Sequence, residues 1–221
     1  MDSSPSQSSG PDGPSADNKH GAISLPVSLD HARITDLPQS TFYIPNFISE
    51  EEEQMILEKI AAAPKPRWKQ LTHRRLQTWP SDLVKNKLLD APLPPWLEGP
   101  DGAAYWPVVC TVSLGASLCL NLYRNKDDGA LDPEPAWRIL QEPRSLLITT
   151  EQLYTDYLHG IEDIEEDIEL SPDSIANWSL LRDANAFADG RNVRQTRTSL
   201  TYRDVLGVSK LANKLGMFLK R

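Results

Sequence analysis

Cysteine and histidine are scarce in this chain: two cysteines, Cys110 and Cys119, and four histidines among 221 residues. Both thiols lie in apolar, alternating segments, where a buried thiol is a better reading than a disulfide or a metal site. A reducing compartment fits, and the expected location is cytoplasmic, nuclear or both. No apolar run approaches the length needed to cross a membrane, and the opening MDSSPSQSSGPDGPSADNKH has no apolar core of the kind a secretory signal carries. An excess of positive charge is missing too. The formal net charge is -8, so bulk attraction to nucleic acid is not available and any such contact would need a local basic patch.

What is present suits one domain, since 221 residues fill a single core. Hydrophobic residues at 39% and charged residues at 24% do not suggest a disordered or fibrous chain, and 18 prolines imply many turns and interrupted strands. Residues 1–22, rich in Ser, Pro, Gly and Asp, are expected to form a disordered tail ahead of a domain over 23–221. Thr41 to Ile44 is β-prone. Ser49 followed by Glu52 is a capping box, and Met55, Ile56, Leu57 and Ile60 give a buried stripe, so a helix is predicted over 50–62 before Pro64.

The segment PRWKQLTHRRLQTWP sets Lys69, His73, Arg74 and Arg75 close to Trp68 and Trp79. It reads equally as a ligand-facing patch or as an ordinary edge strand or loop of an acidic protein. Residues 81–89 suggest a short helical piece, and Gly99-Pro100-Asp101-Gly102 is a strong turn signal. Beyond it come two strands, Val108 to Leu114 and Ser117 to Tyr123, joined at Gly115; two more are expected at Trp137 to Leu140 and Ser145 to Thr149. Residues 151–158 look like a short helix or turn leading into His159-Gly160. The acidic run IEDIEEDIEL at 161–170 reads as a solvated face or loop. Residues 195–203 alternate as a strand, and the terminal segment after Asp204 is amphipathic and partly helical in pattern. Short strands with long connections argue for a mainly β sandwich or barrel with flanking helices, not for alternating β-α units.

Three features could carry chemistry. Arg197 and Arg203 fall on one side of the last strand with Ser199 and Thr201, roughly 20 Å apart by ideal rise, so twist and long side chains would be needed for both to reach one small dicarboxylate. Guanidinium groups favour planar carboxylate recognition in partly buried sites, although a solvent-facing strand side explains the same alternation. His159 suits a metal ligand or a packed imidazole. Asp101 is explained by turn geometry alone.

Taken together, Tyr43-Ile44-Pro45-Asn46-Phe47-Ile48, Arg74 to Trp79, Val108 to Leu120, Glu142-Pro143-Arg144-Ser145-Leu146-Leu147, Tyr157-Leu158-His159-Gly160-Ile161 and Arg197 to Arg203 resemble the AlkB-like Fe(II)/2-oxoglutarate-dependent dioxygenases. Among these the chain is most similar to the subgroup of the sixth AlkB homologue. The resemblance implies a double-stranded β-helix (jelly roll). It also implies oxidation of a substrate, alkylated nucleic acid among the candidates, while 2-oxoglutarate becomes succinate and carbon dioxide. By the same resemblance His159 and Asp101 match metal ligands for Fe(II), and Arg197 and Arg203 match the arginines that engage the carboxylates of 2-oxoglutarate. Segment 68–79 resembles a substrate-facing lid.

The pattern has two departures. The family places a histidine two residues before the aspartate, where this chain has Gly99. Pro94-Pro95-Trp96-Leu97 also runs almost directly into Glu98-Gly99-Pro100-Asp101, without an intervening Asn-x-Tyr strand, so an internal block with core strands is missing and the jelly roll should be incomplete. With one imidazole gone, weak iron binding and impaired activity are expected. The competing expectation is a non-catalytic binding or interaction protein on the same scaffold. A zinc hydrolase has little support, because compact histidine spacings are absent.

Overall fold

The computed structural model describes residues 29–37, 41–72, 74–79, 83–84, 87–89, 108–126, 132–150, 153, 156–203 and 208–209. The expected tail over 1–22, the Asp101 turn with Gly99, and His73 lie outside these residues.

The fold is mainly β. Strand β1 (Thr41–Ile44) precedes α1 (Glu50–Ala61), two short hairpins follow as β2 (Lys69–Gln70), β3 (Arg75–Leu76), β4 (Leu83–Val84) and β5 (Lys87–Leu89), and the long strands β6 (Val108–Leu114) and β7 (Leu118–Arg124) come next. The chain continues through β8 (Trp137–Gln141), β9 (Leu146–Thr150), β10 (Tyr157–Gly160), β11 (Glu166–Asp167), β12 (Asn192–Val193), β13 (Thr198–Arg203) and β14 (Val208–Ser209).

Two antiparallel sheets build the body, one in the order β1-β9-β6-β13 and the other β10-β7-β8. The period-2 alternation of β7 sends Leu118, Leu120 and Leu122 inward, where they share a core with Tyr43 and Leu147 of the first sheet and Ile139 of β8. Both sheets thus close on one apolar layer, as a jelly-roll sandwich requires. The outer face of the first sheet carries Val112, Leu114, Leu146 and Leu200, covered by Ile56, Leu57 and Ile60 of α1. That helix starts where its capping box places it, with Glu52 N–H donating to Ser49 Oγ at 3.2 Å and Ser49 N–H donating to the Glu52 carboxylate at 2.8 Å. The outer face of the second sheet, with Cys119 and Leu140, packs under Leu170, Ile175 and Phe187.

Gly115 makes the β6–β7 turn at φ 83°, and a Cβ there would stand 3.0 Å from the Thr196 carbonyl oxygen, so glycine is required by both backbone and space. Within each main sheet, β13 and β10 have a neighbour on one side only among the described residues. β13 carries Arg203 and follows directly on Arg197, and β10 carries His159.

Four local expectations change. Residues 83–84 and 87–89 form a hairpin, not a helix, because Leu83 pairs with Leu88 and Val208 pairs in parallel with Leu88, a partnership with the far end of the chain. The stretch before His159 is strand from Tyr157 on, paired with Leu122 to Arg124. The acidic run is not simply a solvated face: Asp167 is 1% exposed, whereas Ile161, Ile164 and Ile168 stand 49%, 41% and 49% exposed. At 208–209 the terminal segment is strand; its expected amphipathic remainder lies outside the described residues.

Candidate functional site

Register decides which side chains meet. In β13 Ser199 stands opposite Ser113, Thr201 opposite Thr111 and Arg203 opposite Val109, while Leu200 stands opposite Val112 on the face that α1 covers. Directly opposed residues share a face, so the polar side of β13 looks away from the helix, on the face that Ser113 shares, with Ser199, Thr201 and Arg203 exposed there. His159 pairs with Leu122, whose side chain lies in the shared core, and so it points inward from the second sheet.

Arg197, immediately before β13, is partly buried. Its Nη2 donates to Ser113 Oγ at 2.7 Å and to Gln141 Oε1 at 2.6 Å, its Nε donates to Ser113 Oγ at 3.3 Å, and Ser113 Oγ donates to Gln141 Oε1 at 2.9 Å. Ser113 comes from the first sheet and Gln141 from the second, so this cluster ties the two together. Among the described residues no carboxylate neutralises the guanidinium. Loss of water around it, then the nearby charge of Arg194, pull its pKa down to about 10.

Arg194 itself is neutralised. Asp167 Oδ1 accepts from its Nη2 at 2.6 Å and its Nε at 3.1 Å, and Asp167 Oδ2 accepts from Asn192 Nδ2 at 2.8 Å. Two arginines three residues apart therefore differ in kind, one closed by a carboxylate and one held by neutral groups.

His159 lies at the other end of the inward face. Its Nε2 is 2.9 Å from the Leu153 carbonyl oxygen, which can only accept, so the proton resides on Nε2 and the free lone pair on Nδ1. Its pKa falls below the ordinary histidine value, first through desolvation and then through the charge of Arg203, against the opposing effect of the Leu153 carbonyl. Arg203 thus acts on His159, while Arg197 sits against Ser113 and Gln141. No three histidine, cysteine, aspartate or glutamate side chains converge as a metal site among the described residues. Asp101 lies outside them.

The basic aromatic segment forms an exposed hairpin. Arg75 lies over the Trp68 ring at 4.5 Å and Arg67 over the Trp79 ring at 4.2 Å, so both arginines are stacked on tryptophans.

Ser113 and Gln141 were not singled out in the sequence. The available signal was a polar residue on the inward register of an otherwise apolar strand: Ser113 in VVCTVSL, and Gln141 closing WRILQ.

No protein-family model matches the chain. A curated relative does: a zebrafish (Danio rerio) protein described as "Probable RNA/DNA demethylase ALKBH6" is 32% identical over 218 residues, spanning 81% of this chain and 91% of that protein. The alignment is longer than the stretch that 81% of a 221-residue chain can supply, so part of the relative faces gaps here.

Proposed function

Because the chain belongs to the AlkB-like family of dioxygenases, we propose that it keeps the oxoacid side of a 2-oxoglutarate-dependent centre directed at alkylated nucleic acid, with the iron side impaired. One observation carries this reading. Arg197 is a partly buried guanidinium, anchored by Ser113 and Gln141 on the inward face and without a described carboxylate partner. A desolvated cation of that kind is stabilised by an anion, and a carboxylate of 2-oxoglutarate has the planar geometry to accept its remaining N–H groups. Arg203, six residues along the same strand side, is the candidate for the second carboxylate.

For Fe(II) the residues fit less well. His159 is one candidate ligand and Asp101 the other, but the position where the family supplies a second imidazole is Gly99, which has no donor. The imidazole of His159 also has its Nε2 proton committed to Leu153, leaving Nδ1 for a metal. Two ligands in place of three imply weak iron binding and slow or absent turnover.

The nucleic-acid direction comes from the printed description of the zebrafish relative, and the exposed arginines Arg67 and Arg75, stacked on the half-buried Trp79 and Trp68, supply the local basic surface that an acidic chain would need. The same short ligand set favours a second reading, a scaffold that binds alkylated nucleic acid without oxidising it.

The test is succinate formation from 2-oxoglutarate in air, with added iron and with or without an alkylated oligonucleotide, beside a binding assay for the same oligonucleotide. Binding with little or no succinate supports the impaired centre; brisk iron-dependent succinate formation refutes it.

A further inference from the structure

We propose that Gln141 is a positioning residue of the oxoacid site, holding the Arg197 guanidinium through a neutral acceptor so that the cation's charge stays available to a dicarboxylate. This rests on the reading of Arg197 as a 2-oxoglutarate contact and adds the residue that sets its selectivity for an anion.

The roles within the cluster are fixed by chemistry. A guanidinium only donates, so the side-chain atom of Gln141 that faces Arg197 at 2.6 Å must be its oxygen. Ser113 Oγ accepts from both Nε and Nη2 of Arg197, and its own hydrogen therefore goes to the same Gln141 oxygen. Both anchors are fully enclosed, with Ser113 0% and Gln141 2% exposed, so the arrangement is built into the core. All of these bonds use the Nε and Nη2 edge. Nη1 makes no hydrogen bond to a described residue, and that edge is left for a ligand.

A glutamate has nearly the same shape as glutamine and would accept the same hydrogen bonds, but it would also neutralise Arg197 and turn a receptor into an internal ion pair. The neighbouring pair shows that outcome, since Asp167 closes Arg194 at 2.6 Å. An amide at 141 provides the position without the charge.

The experiment compares the full chain with Gln141→Glu and Arg197→Met, titrating 2-oxoglutarate by calorimetry without added metal and recording Tm for each. The expected result for Gln141→Glu is an affinity loss on the order of tenfold or more, with a Tm equal to or above that of the unaltered chain, because the buried cation gains its carboxylate. A merely structural role would lower Tm together with affinity, and that result overturns the proposal. So does unchanged affinity in Gln141→Glu when Arg197→Met has lost binding, an outcome that leaves the oxoacid site standing. Failure of the unaltered chain to bind 2-oxoglutarate removes the oxoacid reading itself and this inference with it.

Discussion

Asp167 and Arg194 form a buried ion pair at 2.6 Å, with Asp167 1% exposed, inside an acidic run whose isoleucines face solvent. The pair pins the 161–170 segment to the base of β13 and keeps a second uncompensated charge away from Arg197.

Asp167→Ala should therefore cost about 3 kcal/mol or more of stability, because it strands a desolvated guanidinium next to another. Urea denaturation measures it; a loss below about 1 kcal/mol would show that the pair is solvated in practice.

His159 is expected to make folding sensitive to mild acid. Its pKa in the folded chain lies below the unfolded value, through desolvation first and Arg203 second. The neutral imidazole is thus the form the fold prefers. Its contribution is fully present above the ordinary histidine pKa of about 6.5 and is lost as pH falls through the lower folded value. Tm recorded against pH should drop across that window, and the drop should shrink in His159→Gln and, through the missing charge, in Arg203→Ala. Identical profiles for all three chains would contradict this.

Burial pushes the Cys119 thiol up to about 11, against a smaller opposing effect of Arg138. Almost no thiolate exists at neutral pH, so Cys119 should resist iodoacetamide until the chain unfolds. Peptide mapping after labelling decides it. Rapid native labelling of Cys119 would mean that the layer of Leu170, Ile175 and Phe187 over it opens readily.

Elements set by neighbouring residues were legible in the sequence. The Ser49–Glu52 box is complete within four residues and starts α1 where expected, and the alternation of Leu118, Leu120 and Leu122 assigns their face without outside information. Where a distant partner decides, the sequence was mute. Leu83, Val84, Leu88 and Leu89 suit a helix until Leu88 is paired with Val208, and nothing within IEDIEEDIEL distinguishes Asp167 from its neighbours until Arg194 closes on it. The candidate site divides the same way. Arg197 was visible from strand alternation, whereas the neutral groups that hold its guanidinium, Ser113 and Gln141, are brought together only from two sheets.

The proposed iron defect can be probed by adding an imidazole at position 99. Gly99→His recreates the His-x-Asp spacing around Pro100 and should raise ferrous iron affinity by about tenfold or more if Asp101 and His159 still share a centre. Anaerobic iron titration of the variant and the unaltered chain reports it. Equal affinities would show that Gly99 alone does not limit iron binding.

The central claim, an oxoacid site kept beside an impaired iron centre, is tested most directly by measuring 2-oxoglutarate affinity under anaerobic conditions with and without ferrous iron. In an intact centre the oxoacid also coordinates the metal, so iron should tighten its binding. For this chain the expected result is measurable binding that changes by less than about threefold on adding iron, since Arg197 and its clamp supply the interaction. Binding that appears only with iron, or tightens tenfold or more, would contradict the account and show a working metal centre.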